Sequence, residues 1–331
     1  MEKVFFSLEE IQDKQQRGLI GTSNFHQYSP YYFDEDTKIY TIDISWWATQ
    51  PNFIKQSILA AIDKKIEDIK FAPISCPHSF KRKIATIKIY DAYTFGFDYD
   101  NWYSPMIANG PSNVIIVTLT DMEKQILSDA AEIRIRKNKP YEENNGLKSI
   151  RERIEKVTDI NKEYFVRLSG TSAKKDFIQL TPLKKSRNIM NHLTGSFSFL
   201  SQEYCKKKKT SIIIIPWNNL IKPRQEFRVF ICEKKITAIS AQRWGRDHTY
   251  TIEEANIIEE SICKSNFWHD IPYDSFVADV WVNFEEEKAY LIECNPFGIF
   301  SASGSALFSW EKNYNILYGK TKPQLWLRKS F

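Results

Sequence analysis

Asp279, Glu293 and Asn295 are the residues of this chain whose types and spacing could seat a hard metal ion. They lie in FVADVWVN (276–283) and LIECNPFG (291–298), apolar runs joined by the acidic segment 285–288, a pattern that predicts a β-hairpin. Pairing Asn283 with Ala289 places Asp279 opposite Glu293, and strand alternation keeps Asn295 on the side of Glu293. Two carboxylates and an amide oxygen then converge, a donor set that suits Mg²⁺, which takes few protein ligands and completes its shell with water and phosphate. Like charges facing each other weaken a hairpin unless a cation joins them. The alternative is an exposed hairpin face with scattered polar groups. Against it, Leu291, Ile292 and Cys294 give the second strand a buried character, and Pro296-Phe297-Gly298 turns the chain sharply.

A second hairpin adds an arginine. Glu226, Arg228 and Phe230 share one face of PRQEFRVFI (223–231). Arg228 either pairs locally with Glu226 or aims its fork at the acidic cluster, where it could neutralise a polyphosphate; this makes it the candidate catalytic residue. Gln242, Arg243 and Arg246 follow the next strand as further polar groups or plain surface. Arg167 lies inside the apolar run EYFVRLS (163–169), where a buried guanidinium requires an anion, whether a bound phosphate or a structural carboxylate. Residues 212–217, IIIIPW, read either as a core strand or as an edge with apolar surface for a purine ring.

The elements that must position these groups are legible in outline. Apolar residues at 54, 58, 59, 62, 66 and 69 predict an amphipathic helix over 51–70. Strands are expected at 84–90, 113–119, 163–169, 210–215, 227–232, 236–241, 276–283 and 289–294. Thr120 with Glu123, and Thr251 with Glu254, have capping-box spacing and start helices running to about Arg136 and Cys263. Residues 137–147 read as a linker, and 93–103 as a structured aromatic loop. Pro182 suits the first position of a helix that Gly195-Ser196 interrupts, a second piece running on to about Lys209. Trp46, Trp47, Trp102 and Tyr103 form either core packing or a partner surface, the former being the commoner use of such residues. The order of segments is α+β built from antiparallel hairpins, not a βαβ repeat.

The chain has 331 residues, 42% hydrophobic and 26% charged, which excludes a mainly disordered or fibrous protein. Its net charge of +5 is mild, but residues 160–210 hold eleven basic against three acidic side chains. That surplus of eight suits a phosphate, nucleotide or acidic partner. Lys206 to Lys209 within it read most simply as a solvated helix end. Five scattered cysteines without CxxC spacing argue against structural zinc and for a reducing compartment. No apolar run reaches membrane-spanning length, and acidic residues interrupt the N-terminal segment too early for a signal peptide, so an intracellular, cytoplasmic protein is expected.

VRLSGTSAKKD (166–176), PRQEFRVFI, ITAISAQR (236–243), FVADVWVN, LIECNPFG and ALFSWE (306–311) occur in the order found in the cell division cycle protein 123 family, which this chain resembles over about 160–311. A weaker likeness appears upstream at WYSPMI and NVIIVTL. The resemblance implies an ATP-grasp fold: α+β, two lobes with mainly antiparallel sheets enclosing a nucleotide cleft. The expected lobes cover 111–215 and 216–331, with 1–110 an aromatic-rich elaboration. It implies ATP and Mg²⁺ as cofactors. Arg167 and Lys174 would contact phosphates, the strand carrying Ile213, Ile215 and Trp217 would lie beside adenine, and Arg228 would approach the terminal phosphates. Asp279, Glu293 and Asn295 would hold magnesium. The chain departs from the family pattern: Ala173 stands where the family loop has Pro, Lys175 separates Lys174 from Asp176, and Glu293 replaces the metal-strand Asp of eukaryotic members, a conservative change.

The family further implies an assembly factor that helps the alpha and gamma subunits of eukaryotic translation initiation factor 2 to join. An ATP-dependent ligase acting on a carboxylate and an amine, or on nucleic acid, is the rival expectation. A scaffold that binds protein without nucleotide is the third.

Overall fold

The computed structural model describes residues 1–17, 19–20, 31–33, 39–48, 52–72, 94–173, 176, 181–204, 208–242, 248–298, 304–310 and 312–330. These form two compact units. The first comprises 1–97, 106–110 and 220–331; the second comprises 98–105 and 111–219. The expected strand at 84–90, Lys174, Arg243 and Arg246 lie outside the described residues.

The second unit is a three-stranded antiparallel sheet with helices on one face. Its strands are β5 (Ile115–Leu119), β6 (Tyr164–Leu168) and β7 (Thr210–Pro216), in the order β5-β7-β6. Val117, Val166, Leu168, Ile212 and Ile214 point from one face into a core with Leu127, Ala131, Ile150, Ile154, Ile189 and Leu193. Those last residues come from helices Asp121–Arg136, Asn145–Val157 and Ser186–Gly195.

Thr120 caps the first of these helices with the expected box, its hydroxyl accepting from the Glu123 amide while Glu123 accepts from the Thr120 amide. Thr120→Ala removes one side of that box and should lower stability by about 1 kcal/mol in denaturant titration. Thr120→Ser should restore it; an unchanged midpoint for the alanine variant would show that the cap does not contribute.

Two expectations for this unit are corrected. Residues 137–147 are not all linker, because the Asn145–Val157 helix begins inside them, capped by Asn144 and burying Leu147, Ile150 and Ile154. Pro182 does not open a helix: Leu183 instead exchanges two 2.9 Å backbone hydrogen bonds with Tyr164, extending the sheet, and the helix starts at Ser186. Gly195 does end that helix, and Ser196 caps the turn that follows.

The first unit holds a six-stranded mixed sheet. Its strands are β1 (Glu2–Phe6), β8 (Glu226–Cys232), β9 (Lys235–Ala241), β10 (Phe276–Asn283), β11 (Lys288–Pro296) and β12 (Gln324–Arg328), in the order β1-β12-β9-β8-β10-β11. β1, β12 and β9 pair in parallel; the hairpins β8–β9 and β10–β11 and the β8–β10 pair are antiparallel. Neither β1 nor β12 was anticipated. Helix Ile252–Ser265 carries the expected Thr251 capping box and packs on β10 and β11. A smaller sheet in this unit joins β2 (Tyr31–Phe33), β3 (Tyr40–Asp43) and β4 (Ile69–Ala72). The helix expected over 51–70 spans only Asn52–Ile62. Asp63 takes a left-handed φ of 52°, which stops it, and Ile69 becomes a strand residue. Trp47 and Trp102 are core residues, and Tyr103 is half-buried.

Candidate functional site

The β10–β11 hairpin sets Asp279 against Glu293 as expected, though by a route the alternation rule alone misses. At its tip Asn283 pairs with Lys288, one residue short of the expected Ala289. A bulge after Asp279 leaves Ile292 unpaired and restores the register at Glu293. Asn295 pairs with Val277, two residues from Asp279, and so lies on the same face. Arg228 is directly across from Asp279 on the other neighbouring strand, β8. Four candidate side chains on three adjacent strands therefore share one sheet face, beside an apolar patch made by Phe230, Val277, Phe308 and Trp310.

Arg228 and Asp279 form a buried two-pronged ion pair, Nε to Oδ1 and Nη2 to Oδ2, both 2.9 Å. Glu226, the local alternative, adds its negative charge to the surroundings of the same guanidinium. Nη1 donates to the Gly304 carbonyl at 2.5 Å. Asp279 Oδ2 also accepts from Gln242 Nε2 at 3.3 Å and Asn295 Nδ2 at 3.4 Å. Burial pushes the Arg228 pKa down, but the charges of Asp279, Glu293 and Glu226 and the Asp279 hydrogen bonds outweigh it, so the guanidinium is held more firmly protonated than usual.

This donor set fits Mg²⁺. Two carboxylates and one guanidinium leave a surplus negative charge on the face, and rotating the Asn295 amide about its last bond exchanges its donor for an oxygen ligand. Among the described residues no group of three or more His, Cys, Asp or Glu could hold a metal, so an ion here would rest on two carboxylates and an amide.

In the second unit Arg167 pairs across the sheet with Ile213, and Phe165 with Ile215. Since Val166, Leu168, Ile212 and Ile214 enter the helix-side core, Arg167, Ile213 and Ile215 occupy the opposite face. Ile213 is fully buried there, and Ile215 and Trp217 are half-buried. The Arg167 guanidinium lies 5.6 Å from the centre of the Tyr99 ring, a cation–π contact, and its Nε donates to the Leu168 carbonyl at 3.3 Å. Trp217 anchors on the Glu163 carbonyl through its amide and on Asn219 through its indole, each at 2.8 Å.

A charged group that sequence reading missed lies beside Arg167. Lys208 Nζ is 2.7 Å from Asp98 Oδ2 and 3.3 Å from Glu203 Oε1, all three side chains being buried. Lys208 is therefore not part of a solvated helix end; Lys209 is exposed, as expected, and reaches Asp100 at 3.7 Å. Burial raises Asp98 to about 7 against the opposing pull of Lys208, and Glu203 is raised by burial as well. The available signal was Asp98 itself, an acid set among the aromatics of YTFGFDYDNWY.

Residues 172–325 match the D123 family model. A Translation initiation factor eIF2 assembly protein from Xenopus laevis is 26% identical over 154 residues, 45% of this chain and 44% of the relative. One from Dictyostelium discoideum is 28% identical over 140 residues, 39% of this chain and 34% of the relative. The match thus spans less than half the length of these curated relatives. The structure of Cdc123 from Schizosaccharomyces pombe superposes with a TM-score of 0.55 at 19% identity, over 72% of this chain and 97% of that one, which shows a shared fold. On motif order, family model and fold together, this chain resembles the cell division cycle protein 123 family, and the family model matches residues 172–325.

Proposed function

We propose that this chain is an ATP-grasp protein that binds ATP and Mg²⁺ and assists assembly of eukaryotic translation initiation factor 2 in the cytoplasm, with the alpha and gamma subunits as partners. The observation that carries the nucleotide part is the convergence of Arg228, Asp279, Glu293 and Asn295 on one sheet face. The partner part is supported by the names of the relatives.

In this reading Asp279, Glu293 and the amide oxygen of Asn295 would hold the magnesium ion. That ion would neutralise and orient phosphate oxygens when bound. Arg228, already charged and fixed by Asp279, offers Nη1 and the outer edge of its fork to a terminal phosphate. On the second unit Arg167 and Lys174 are the proposed phosphate donors, a role suited to guanidinium and ammonium groups. Ile213, Ile215 and Trp217 give the adenine an apolar strand and a ring.

Calorimetric titration with ATP tests this directly. Binding should weaken at least about tenfold when EDTA replaces Mg²⁺. Glu293→Gln should weaken binding in Mg²⁺ while leaving the melting temperature nearly unchanged. Equal affinity with and without the metal would remove Asp279 and Glu293 from the role. Immobilised chain with ATP and Mg²⁺ should retain the purified alpha or gamma subunit, and retention of neither would end the assembly assignment.

A further inference from the structure

The turn that follows β6 rests directly on the buried charges of the second unit. Leu168 and Thr171 close it with reciprocal backbone hydrogen bonds of 2.9 and 3.3 Å, and Gly170 sits at its bend. A Cβ on Gly170 would lie 2.5 Å from Asp98 Oδ1, 2.7 Å from Glu203 Oε1 and 2.8 Å from Lys208 Nζ. The Tyr99 amide donates to the Ser169 carbonyl at 2.7 Å, and Ser211 links Ser169 to Asp100. The segment bearing Arg167 is therefore seated on the Asp98–Lys208–Glu203 group without an intervening side chain.

The charges facing this group come from every element around it. Asp98 and Asp100 come from the 98–102 segment, Glu203 and Tyr204 from the helical turn after Ser196, and Lys208 and Lys209 from the residues leading into β7. Arg167 and Thr171 face Glu203 from β6 and its turn, and Lys124 donates to the Lys208 carbonyl at 2.8 Å from the Asp121–Arg136 helix. One ammonium serves two deeply buried carboxylates, and Arg167 is the second cation acting on Glu203. Glu203 Oε2 is buried with no hydrogen-bond partner, so it has room in its bonding for a proton.

Resting on the nucleotide reading above, we propose that phosphate binding at Arg167 is linked to uptake of a proton by the Asp98–Glu203 pair. A phosphate that takes up the Arg167 charge removes part of the positive field holding Glu203 ionised, and adds negative charge of its own. The pair then holds a proton more tightly, and hydronium from the solvent supplies it, forming one O–H bond on a carboxyl oxygen. Because Asp98 titrates at about 7, its proton occupancy responds most steeply near neutrality. An upward displacement of roughly one unit would add about 0.4 proton at pH 7, so affinity should fall about 2.5-fold for each unit of rising pH there.

Titrating the full chain with ATP and Mg²⁺ at pH 7, in buffers of different ionisation enthalpy, counts those protons. The wild type should take up a fraction of one proton per nucleotide. Glu203→Gln and Asp98→Asn, both isosteric, should bind nucleotide with the count reduced to below about 0.1. A purely structural role for the pair would change affinity or folding without changing the count. Binding by the wild type without uptake, or uptake that both variants retain, overturns the linkage and leaves the nucleotide reading intact. A wild type that binds no ATP overturns both.

Discussion

Replacing Asp279 with alanine should lower the stability of the first unit by about 3–5 kcal/mol, because Arg228 is then left buried and charged without its two-pronged carboxylate partner. The pair is not strongly stabilising as a whole; most of that loss is the unpaid desolvation of one remaining ion. Arg228→Met combined with Asp279→Leu should therefore recover most of the stability lost by the single change, although it also removes a metal ligand and a phosphate contact. Denaturant titration of the wild type, both single variants and the double variant measures the coupling. ATP titration of the same four proteins should show no Mg²⁺-dependent binding whenever Asp279 is absent. An Asp279→Ala protein that loses less than about 1 kcal/mol would mean that Arg228 escapes to solvent and is not held as described.

The second large effect is expected at Lys208. Lys208→Met takes the shared ammonium from two buried carboxylates and should destabilise the second unit by about 3–5 kcal/mol at pH 8. At pH 5 both carboxyls can take protons and the defect should shrink to less than half. The wild type already leans this way. Asp98 is raised from 3.8 to about 7, so the folded chain keeps a proton that the unfolded chain releases. Its contribution is fully present below about pH 4 and is lost as the pH rises toward 7, on the order of 3 to 4 kcal/mol in all. Melting temperatures of both proteins between pH 5 and pH 8 test this, and a Lys208→Met defect equal at the two ends would refute the ion-pair account.

The sequence carries the Arg228–Asp279–Glu293 face of the candidate site well, because period-2 alternation in two adjacent hairpins reduces the problem to one of register. Asp279 opposite Glu293 follows from that rule, yet the true register passes through a bulge at Ile292 that no alternation rule supplies. Both capping boxes were legible because all their partners fall within three residues. The Asp98–Lys208 pair was not, since its members are 110 residues apart and Lys208 lies in a basic run that resembles any exposed helix end. The Asn145–Val157 helix was overlooked because only Leu147, Ile150 and Ile154 mark its buried face among charged neighbours. Burial, not composition, decides which charges become chemistry here.

The parallel pairing of β1 with β12 also imposes an order in time. Glu2 and Gln324 are 322 residues apart, so this ladder closes an exceptionally long loop, and β9 meets β12 only after the same delay. The second unit draws on residues 98–105 and 111–219 alone and can finish folding while its successor is still being synthesised. The large sheet, by contrast, must keep β9 without its β12 neighbour until Arg328 has left the ribosome. During that interval its open edge is a place where another chain could add a strand, so a nascent-chain chaperone would protect this protein most while residues 242–328 are being made.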